Sequence, residues 1–145
     1  MERPLKYQWL IDAHNLKDQC PLNPISSNLK AYRWASNKWE IADNLLPKLE
    51  FDKKWGFVPR KIDNSESFIC SCCGLSMFSS LEAAKTTFSN IYERHRLLLG
   101  YTHVSEIDLK IEDGVMTAEN DHKHFDFFEY EEADLISKAK IIDNL

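Results

Sequence analysis

One segment of the chain carries a clear helical pattern of apolar residues. From Ser79 to Gly100, side chains recur at alternating intervals of three and four residues: Leu81, Ala84, Phe88, Ile91, His95 and Leu98. This spacing places them on one face of a helix with 3.6 residues per turn. Ser79 and Glu82 fit a capping box, and Gly100 suits the left-handed position that ends a helix. The pattern therefore predicts one main helix over residues 79–99.

Alternating patterns predict strands on both sides of this helix. Ile107, Leu109 and Ile111 alternate with charged residues, which is the period of a half-buried strand. Other strands are predicted at residues 31–35, 66–73, 115–117 and 124–130. Short helices are predicted within residues 5–15 and, in preference to a hairpin, within 36–46. Residues 47–65 show no sustained period and are predicted to form an extended connection, and the tail from 131 ends in a strand or a short helix.

These elements indicate one α+β domain over residues 1–145, with a mostly antiparallel sheet and one main helix packed on it. Charged residues make up 28% of the chain, and 12% are aromatic, a composition typical of folded proteins. The net charge of −5 argues against binding to nucleic acid, which needs clustered Lys and Arg. The chain has no apolar run of membrane-spanning length and no signal peptide. We therefore expect a cytoplasmic protein whose cysteines are reduced thiols or metal ligands.

Cysteine and histidine residues suggest a zinc site. Cys70 and Cys73 form a C-x-x-C-G knuckle, and His122 and His124 lie on one face of the predicted strand. Thiolate and imidazole groups are the ligands that zinc prefers, so these four residues are the candidate metal ligands. The alternative interpretation is that the thiols are small buried side chains that fill the core.

Ser76 and Cys73 are candidate nucleophiles. Ser76 follows Gly74 at a predicted strand-to-helix turn, with His103 as a possible base, although the segment lacks the G-x-S-x-G pattern. Cys73 lies near the predicted helix start, where a thiol pKa can be lowered. Neither signal is specific for catalysis.

The order of short motifs resembles two groups of proteins. A-Y-R-W-A, C-G-L-S-M-F, Y-T-H-V-S-E-I and H-F-D-F-F-E-Y follow one another as in small bacterial proteins of no assigned activity. The order also resembles that of ADP-ribosyltransferases. That resemblance implies an NAD-using enzyme in which Arg33 holds the pyrophosphate, Ser76 positions the nicotinamide ribose and Glu129 stabilises the oxocarbenium charge. The L-S-M and F-F-E segments differ from the S-T-S and E-x-E motifs of that family.

Taken together, the sequence favours a small soluble protein-interaction or accessory module that has no catalytic activity of its own and no cofactor. The aromatic segment 124–130 and the acidic residues after it suggest a protein partner or self-association. The alternatives are an ADP-ribosyltransferase-like enzyme that uses NAD and a zinc-binding module.

Overall fold

The computed structural model describes residues 3–56 and 65–145, which form an antiparallel sheet with helices packed around it. The helices are α1 (Gln8–Ala13), α2 (Ile41–Asn44), α3 (Lys48–Trp55), α4 (Glu66–Cys72), α5 (Leu81–Ser89) and α6 (Glu93–Leu99). The strands are β1 (Leu29–Ala35), β2 (Leu75–Phe78), β3 (His103–Leu109), β4 (Gly114–Met116), β5 (His124–Glu129) and β6 (Lys140–Asn144). The strand order is β4-β5-β2-β1-β3-β6. The α+β prediction is confirmed.

Most of the predicted strands form where the alternating pattern indicated them. Strands β1, β3, β4 and β5 correspond to the predicted segments, and β6 forms in the tail. The short helices α1 and α2 also form within their predicted ranges. Among the described residues, no helix is both long and apolar enough to cross a membrane.

The prediction of a strand at residues 66–73 is wrong, because this segment forms helix α4. The Ser65 hydroxyl accepts a hydrogen bond from the Phe68 backbone N–H at 3.3 Å, which caps the first turn. The buried residues Cys70 and Cys73 are three positions apart, so they share one face of a helical turn. The strand β2 begins only after Gly74, in the segment that we expected to lead into the main helix.

The predicted main helix consists of two shorter helices, α5 and α6, separated at residues 90–92. Ser80, rather than Ser79, caps α5, because its hydroxyl accepts a hydrogen bond from the Ala83 N–H at 3.3 Å. Helix α5 buries Ala84 and Phe88, whereas α6 has no buried residue. The connection predicted at residues 47–65 is also partly wrong, since α3 lies within it; residues 57–64 of that connection lie outside the described residues.

The sheet carries a separate apolar cluster on each face. One face is covered by buried residues that include Ala31, Met77, Ile107 and Phe127. On the other face, α5 packs against β1 and β2, where the Trp34 indole N–H donates to the Ala84 carbonyl at 2.9 Å. A third cluster joins α1 and α4 at the β5 end of the sheet. The helices on the second face are therefore divided into two groups, with β2 between them.

A disulfide bond joins Cys20 to Cys70, so the expectation of reduced cysteines is wrong for this pair. Both residues are buried in the cluster that packs α1 against α4. Helix α4 turns Cys70 toward the loop that carries Cys20, and this approach depends on the tertiary fold. Cys72 and Cys73 are free thiols, and both are buried.

We expect loss of the disulfide to reduce stability substantially. Because Cys20 and Cys70 are separated by 50 positions, the bond limits the freedom of a long loop in the unfolded chain, an effect of about 4 kcal/mol. Cys70→Ser should lower the free energy of unfolding in urea by an amount of that order.

Cys72→Ser is the matched control, because Cys72 lies on the same helix and forms no disulfide. Peptide mapping under non-reducing conditions would identify the bonded pair directly. Equal unfolding free energies for the wild type and Cys70→Ser, both without reductant, would contradict the prediction.

Candidate functional site

A cleft of about 690 Å³ opens between strands β1 and β2. The two strands share a single register pair, Tyr32 with Phe78, so the sheet separates beyond that point. Side chains from α3, α4 and α6 complete the walls. Most of the lining residues are apolar or aromatic, among them Trp39, Phe51, Phe68, Phe78, Leu98 and Tyr101. This volume is within the range of pockets that bind small molecules.

Arg33 lies in the gap between these two strands. Its Nε donates to the Asn44 carbonyl at 2.8 Å, Nη1 to the Ser76 carbonyl at 2.7 Å and Nη2 to the Leu46 carbonyl at 3.2 Å. Burial lowers the pKa of Arg33 from its usual value, with partial compensation from the charges of Tyr101, Glu129 and Asp126. Among the described residues, no carboxylate forms an ion pair with this guanidinium, so only neutral carbonyl oxygens solvate its charge.

The two acidic residues that line the cleft are already neutralised by lysines. Asp43 pairs with Lys54 at 2.5 Å, and Asp52 pairs with Lys48 at 3.0 Å within α3. Their charges therefore do not balance that of Arg33. Among the described residues Arg33 is therefore a cation with no direct ion pair, although the nearby charges of Glu129 and Asp126 partly offset its own.

Ser76 and His124 form a hydrogen-bonded pair at the same cleft. Ser76 Oγ lies 2.5 Å from His124 Nε2, across the pairing of β2 with β5. Ser76 is exposed and His124 is partly buried. Burial lowers the pKa of His124, the nearby charges of Arg33 and His122 lower it further, and Asp126 opposes them. The imidazole is thus favoured in its neutral form, in which one ring nitrogen can accept a proton.

Asp126 lies beside this pair on the same face of the sheet, opposite Ser76 in the strand register. Burial raises the pKa of Asp126, while a hydrogen bond from Ser71 and the charges of His124 and Arg33 lower it. Its Oδ1 is buried and has no hydrogen-bond partner among the described residues. Ser76, His124 and Asp126 therefore form one polar group on an otherwise apolar wall.

Glu129 does not line this cleft. It has the opposite strand parity from Asp126 and accepts a hydrogen bond from Lys6 Nζ at 3.2 Å, with its side chain 3% exposed. Burial raises its pKa, and Lys6 is the main influence that lowers it. The structure therefore brings Arg33 and Ser76 together, as the ADP-ribosyltransferase resemblance implies, but places Glu129 on the other face of the sheet.

The four predicted metal ligands occupy different environments. Cys70 is in the disulfide, and Cys73 is buried with a pKa that burial raises to about 11. His122 is exposed in the loop before β5, and His124 is bonded to Ser76. Among the described residues, no group of three or more His, Cys, Asp or Glu side chains is arranged to hold a metal ion. Zinc binding by Cys70 would first require reduction of its disulfide.

The residues that sequence reasoning linked to nucleophilic catalysis are also separated. His103 hydrogen-bonds to Thr102 through Nδ1 at 2.7 Å and is not part of the cleft lining. The raised pKa of Cys73 is the opposite of what an activated thiol requires. The partner of Ser76 is His124, which the sequence suggested only as a metal ligand. The sequence pattern did not show that β5 pairs with β2, and this pairing brings His124 to Ser76.

Comparisons with protein-family models, curated protein sequences and solved structures find no match to this chain. The two resemblances described above therefore stay predictions, and the geometry of the site carries the functional argument.

The electrostatic coupling of His124 to Asp126 can be tested by titration. We expect the pKa of His124 to lie below 6.5, because burial and the Arg33 and His122 charges outweigh Asp126. Asp126→Asn removes the one nearby charge that raises this pKa, so the His124 pKa should fall further. NMR titration of the histidine ring protons would measure both values. An increase in the His124 pKa in Asp126→Asn would contradict this assignment of charges.

Proposed function

We propose that the protein binds a small, mainly apolar or aromatic molecule that carries a negative charge, with Arg33 as the group that meets this charge. The observation that supports the proposal is an arginine without an ionic partner, among the described residues, at an apolar cleft large enough for such a ligand. The proposed function is a binding role directed at a small molecule, whereas the sequence favoured a protein partner.

The energetics of Arg33 support an anionic ligand. A charge removed from water is costly unless it is paired. Three of the five guanidinium N–H groups donate to backbone carbonyls, which leaves one N–H on Nη1 and one on Nη2. Carboxylate or phosphate oxygens are suitable acceptors for these groups, and the bonds would be charge-assisted. An anionic ligand would therefore supply a direct ionic contact, which the more distant charges of Glu129 and Asp126 do not provide.

The walls of the cleft support an apolar body for the ligand. Trp39, Phe51 and Tyr101 form a connected aromatic group, with ring centroids 4.8 Å apart for Trp39 and Phe51 and 5.6 Å apart for Trp39 and Tyr101. Helix α6 adds Leu98, which is 61% exposed although it lines the cleft. Exposed apolar surface at a concave site is typical of ligand pockets.

NAD shares the anionic group and the ring systems of this ligand class, but its riboses and pyrophosphate make it much more polar than the ligand proposed here. Its binding is compatible with Arg33 and Ser76 on one cleft. The transferase chemistry is less favoured, because Glu129 faces away from this cleft and is paired with Lys6. The zinc and protein-partner hypotheses stay predictions of the sequence, and no specific contact among the described residues favours them over a small ligand.

A pair of probes that differ in charge tests the role of Arg33. We expect 1-naphthaleneacetate to bind at least about tenfold more tightly than 1-naphthaleneacetamide, since a charge-assisted contact contributes about 1.5–3 kcal/mol. Isothermal titration calorimetry at constant ionic strength would give both dissociation constants. Arg33→Gln should abolish the preference, provided that its melting temperature shows a folded protein. NAD would be titrated in parallel.

Equal affinity of the wild type for the two naphthalene compounds would contradict the role of Arg33. Absence of saturable binding of both compounds and of NAD would contradict the proposed function. The comparison of charged and neutral ligands is made in the wild-type protein, so it does not depend on the stability of any variant.

The apolar wall can be tested with two neighbouring leucines. Leu98→Asp should weaken 1-naphthaleneacetate binding at least about tenfold, because it places on the apolar cleft wall a negative group that repels the carboxylate of the ligand. Leu97→Asp is the matched control: Leu97 is 76% exposed and is not part of the cleft lining. Because both leucines are largely exposed, neither substitution should change the melting temperature much. Equal weakening in both variants would contradict the assigned wall.

A further inference from the structure

We propose that Ser76 and His124 are the nucleophile and the general base of a hydrolytic site in this cleft, acting on carboxylic esters of apolar or aromatic acids. The inference rests on the proposed function, because the carboxylate that Arg33 would hold is the product of such a reaction. It extends a binding site to an activity.

The geometry of the pair matches the first requirement of nucleophilic catalysis. A serine hydroxyl becomes reactive when a base within hydrogen-bond distance can take its proton, and Ser76 Oγ lies 2.5 Å from His124 Nε2. Ser76 is exposed at the cleft, so an ester could reach its oxygen. His124 is held from one side by Phe78, whose ring meets the imidazole edge-to-face at a centroid distance of 5.3 Å. The base is therefore oriented while the nucleophile stays accessible.

Asp126 is suited to a positioning role in the same site. It lies two residues from His124 on the same strand face, opposite Ser76 on the neighbouring strand. Its carboxylate oxygen Oδ1 has no partner among the described residues, and its charge raises the pKa of His124. A negative charge there would stabilise the imidazolium that forms when His124 takes the serine proton.

Arg33 supplies positive charge next to the nucleophile. Its Nη1 donates to the backbone carbonyl of Ser76 itself, at 2.7 Å. An ester is neutral, whereas the tetrahedral intermediate and the acid product carry a negative oxygen. A fixed cation beside Ser76 therefore favours the intermediate over the substrate, which is the condition for faster reaction.

The chemical steps balance with water as the only co-reactant. Ser76 Oγ forms a bond to the ester carbonyl carbon while its proton moves to His124 Nε2. The carbon–oxygen bond to the leaving group then breaks, and His124 returns the proton to that oxygen, which releases an alcohol. Water attacks the acyl-serine carbonyl carbon and gives a proton to His124; the acyl–Ser76 bond then breaks, and His124 passes that proton to Ser76 Oγ, which releases the acid and regenerates the hydroxyl. The net reaction is ester and water to acid and alcohol.

The 4-nitrophenyl ester of 1-naphthaleneacetic acid is the test substrate, because its acid product is the ligand probe described above. We expect the wild type to release 4-nitrophenol faster than the spontaneous reaction. Ser76→Ala and His124→Gln should each lower kcat/KM at least about a hundredfold, the usual scale for loss of a proton-transfer partner. Ser79→Ala and His103→Gln are the controls, since neither residue is part of the cleft lining, and both should retain activity.

Two further measurements separate a chemical role from a structural one. Diisopropyl fluorophosphate should add one phosphoryl group to the wild type with loss of fluoride, and mass spectrometry should locate it on Ser76. The rate should rise with pH as His124 loses its proton, so the midpoint of the pH profile should equal the pKa of His124. Burial and the charges of Arg33 and His122 lower that pKa from its ordinary value, and Asp126 opposes them. Asp126→Asn should move that midpoint lower, which a loss of folded protein would not do.

The outcomes distinguish this inference from the proposed function. Ser76→Ala keeps Arg33 and the apolar wall, so it should bind 1-naphthaleneacetate as the wild type does. Normal binding with no hydrolysis above the spontaneous rate, or hydrolysis that survives in both Ser76→Ala and His124→Gln, would overturn the inference and leave the binding function. Failure of the wild type to bind the carboxylate would contradict the proposed function, and the inference with it.

Discussion

The three hydrogen bonds of Arg33 are the constraint on which the cleft depends. Strands β1 and β2 pair only at Tyr32 and Phe78, and the guanidinium spans the gap beyond that pair by donating to the Ser76 carbonyl. Its other bonds reach the Asn44 and Leu46 carbonyls at the end of α2. A strand carbonyl that lacks a partner strand is costly to bury, and one side chain satisfies it here. A closed ladder between β1 and β2 would instead occupy the Ser76 carbonyl with a backbone N–H and leave Arg33 without that acceptor.

The two groups of helices then determine the shape of the opening. Helix α5 covers β1 through the Trp34–Ala84 hydrogen bond, and α4 is held near β5 by the Cys20–Cys70 disulfide and the cluster around it. Neither group extends over Ser76, which stays exposed between them. Helix α6 has no buried residue, and its Leu98 and Leu99 contribute apolar surface to the rim. The cleft is thus the part of the sheet that the helices leave uncovered.

The sequence predicts the fold better than the site, for a physical reason. Strands such as β3 alternate cleanly because one face is buried, so residue spacing alone identifies them. The segment around Cys70 was predicted as a strand but is a helix, because apolar residues two and three positions apart fit a strand and a short helix equally well. The cap at Ser65 decides the outcome. His124 and Asp126 are two positions apart in β5 and so share a face, but Ser76 meets them only because β2 pairs with β5, a long-range contact that local pattern does not encode. The Cys20–Cys70 contact is hidden in the same way.

The overall charge of the chain gives the wrong impression of this cleft. A net charge of −5 suggests a preference for cations, yet charges screen over about 10 Å at ordinary ionic strength, so a ligand responds mainly to the groups close to it. At the cleft, Asp43 and Asp52 are each paired with a lysine, and only neutral carbonyls surround Arg33. The direct contacts of Arg33 are therefore with neutral groups, and the carboxylates of Glu129 and Asp126 act on it only at longer range. Under the proposed function, an anion is repelled by the net charge of the protein at a distance and meets Arg33 only inside the cleft. Such an arrangement favours ligands whose apolar body contributes much of the binding energy over highly charged ligands. Each additional negative charge on a ligand adds repulsion outside the cleft. Within the cleft, that charge finds no second unpaired cation among the described lining residues.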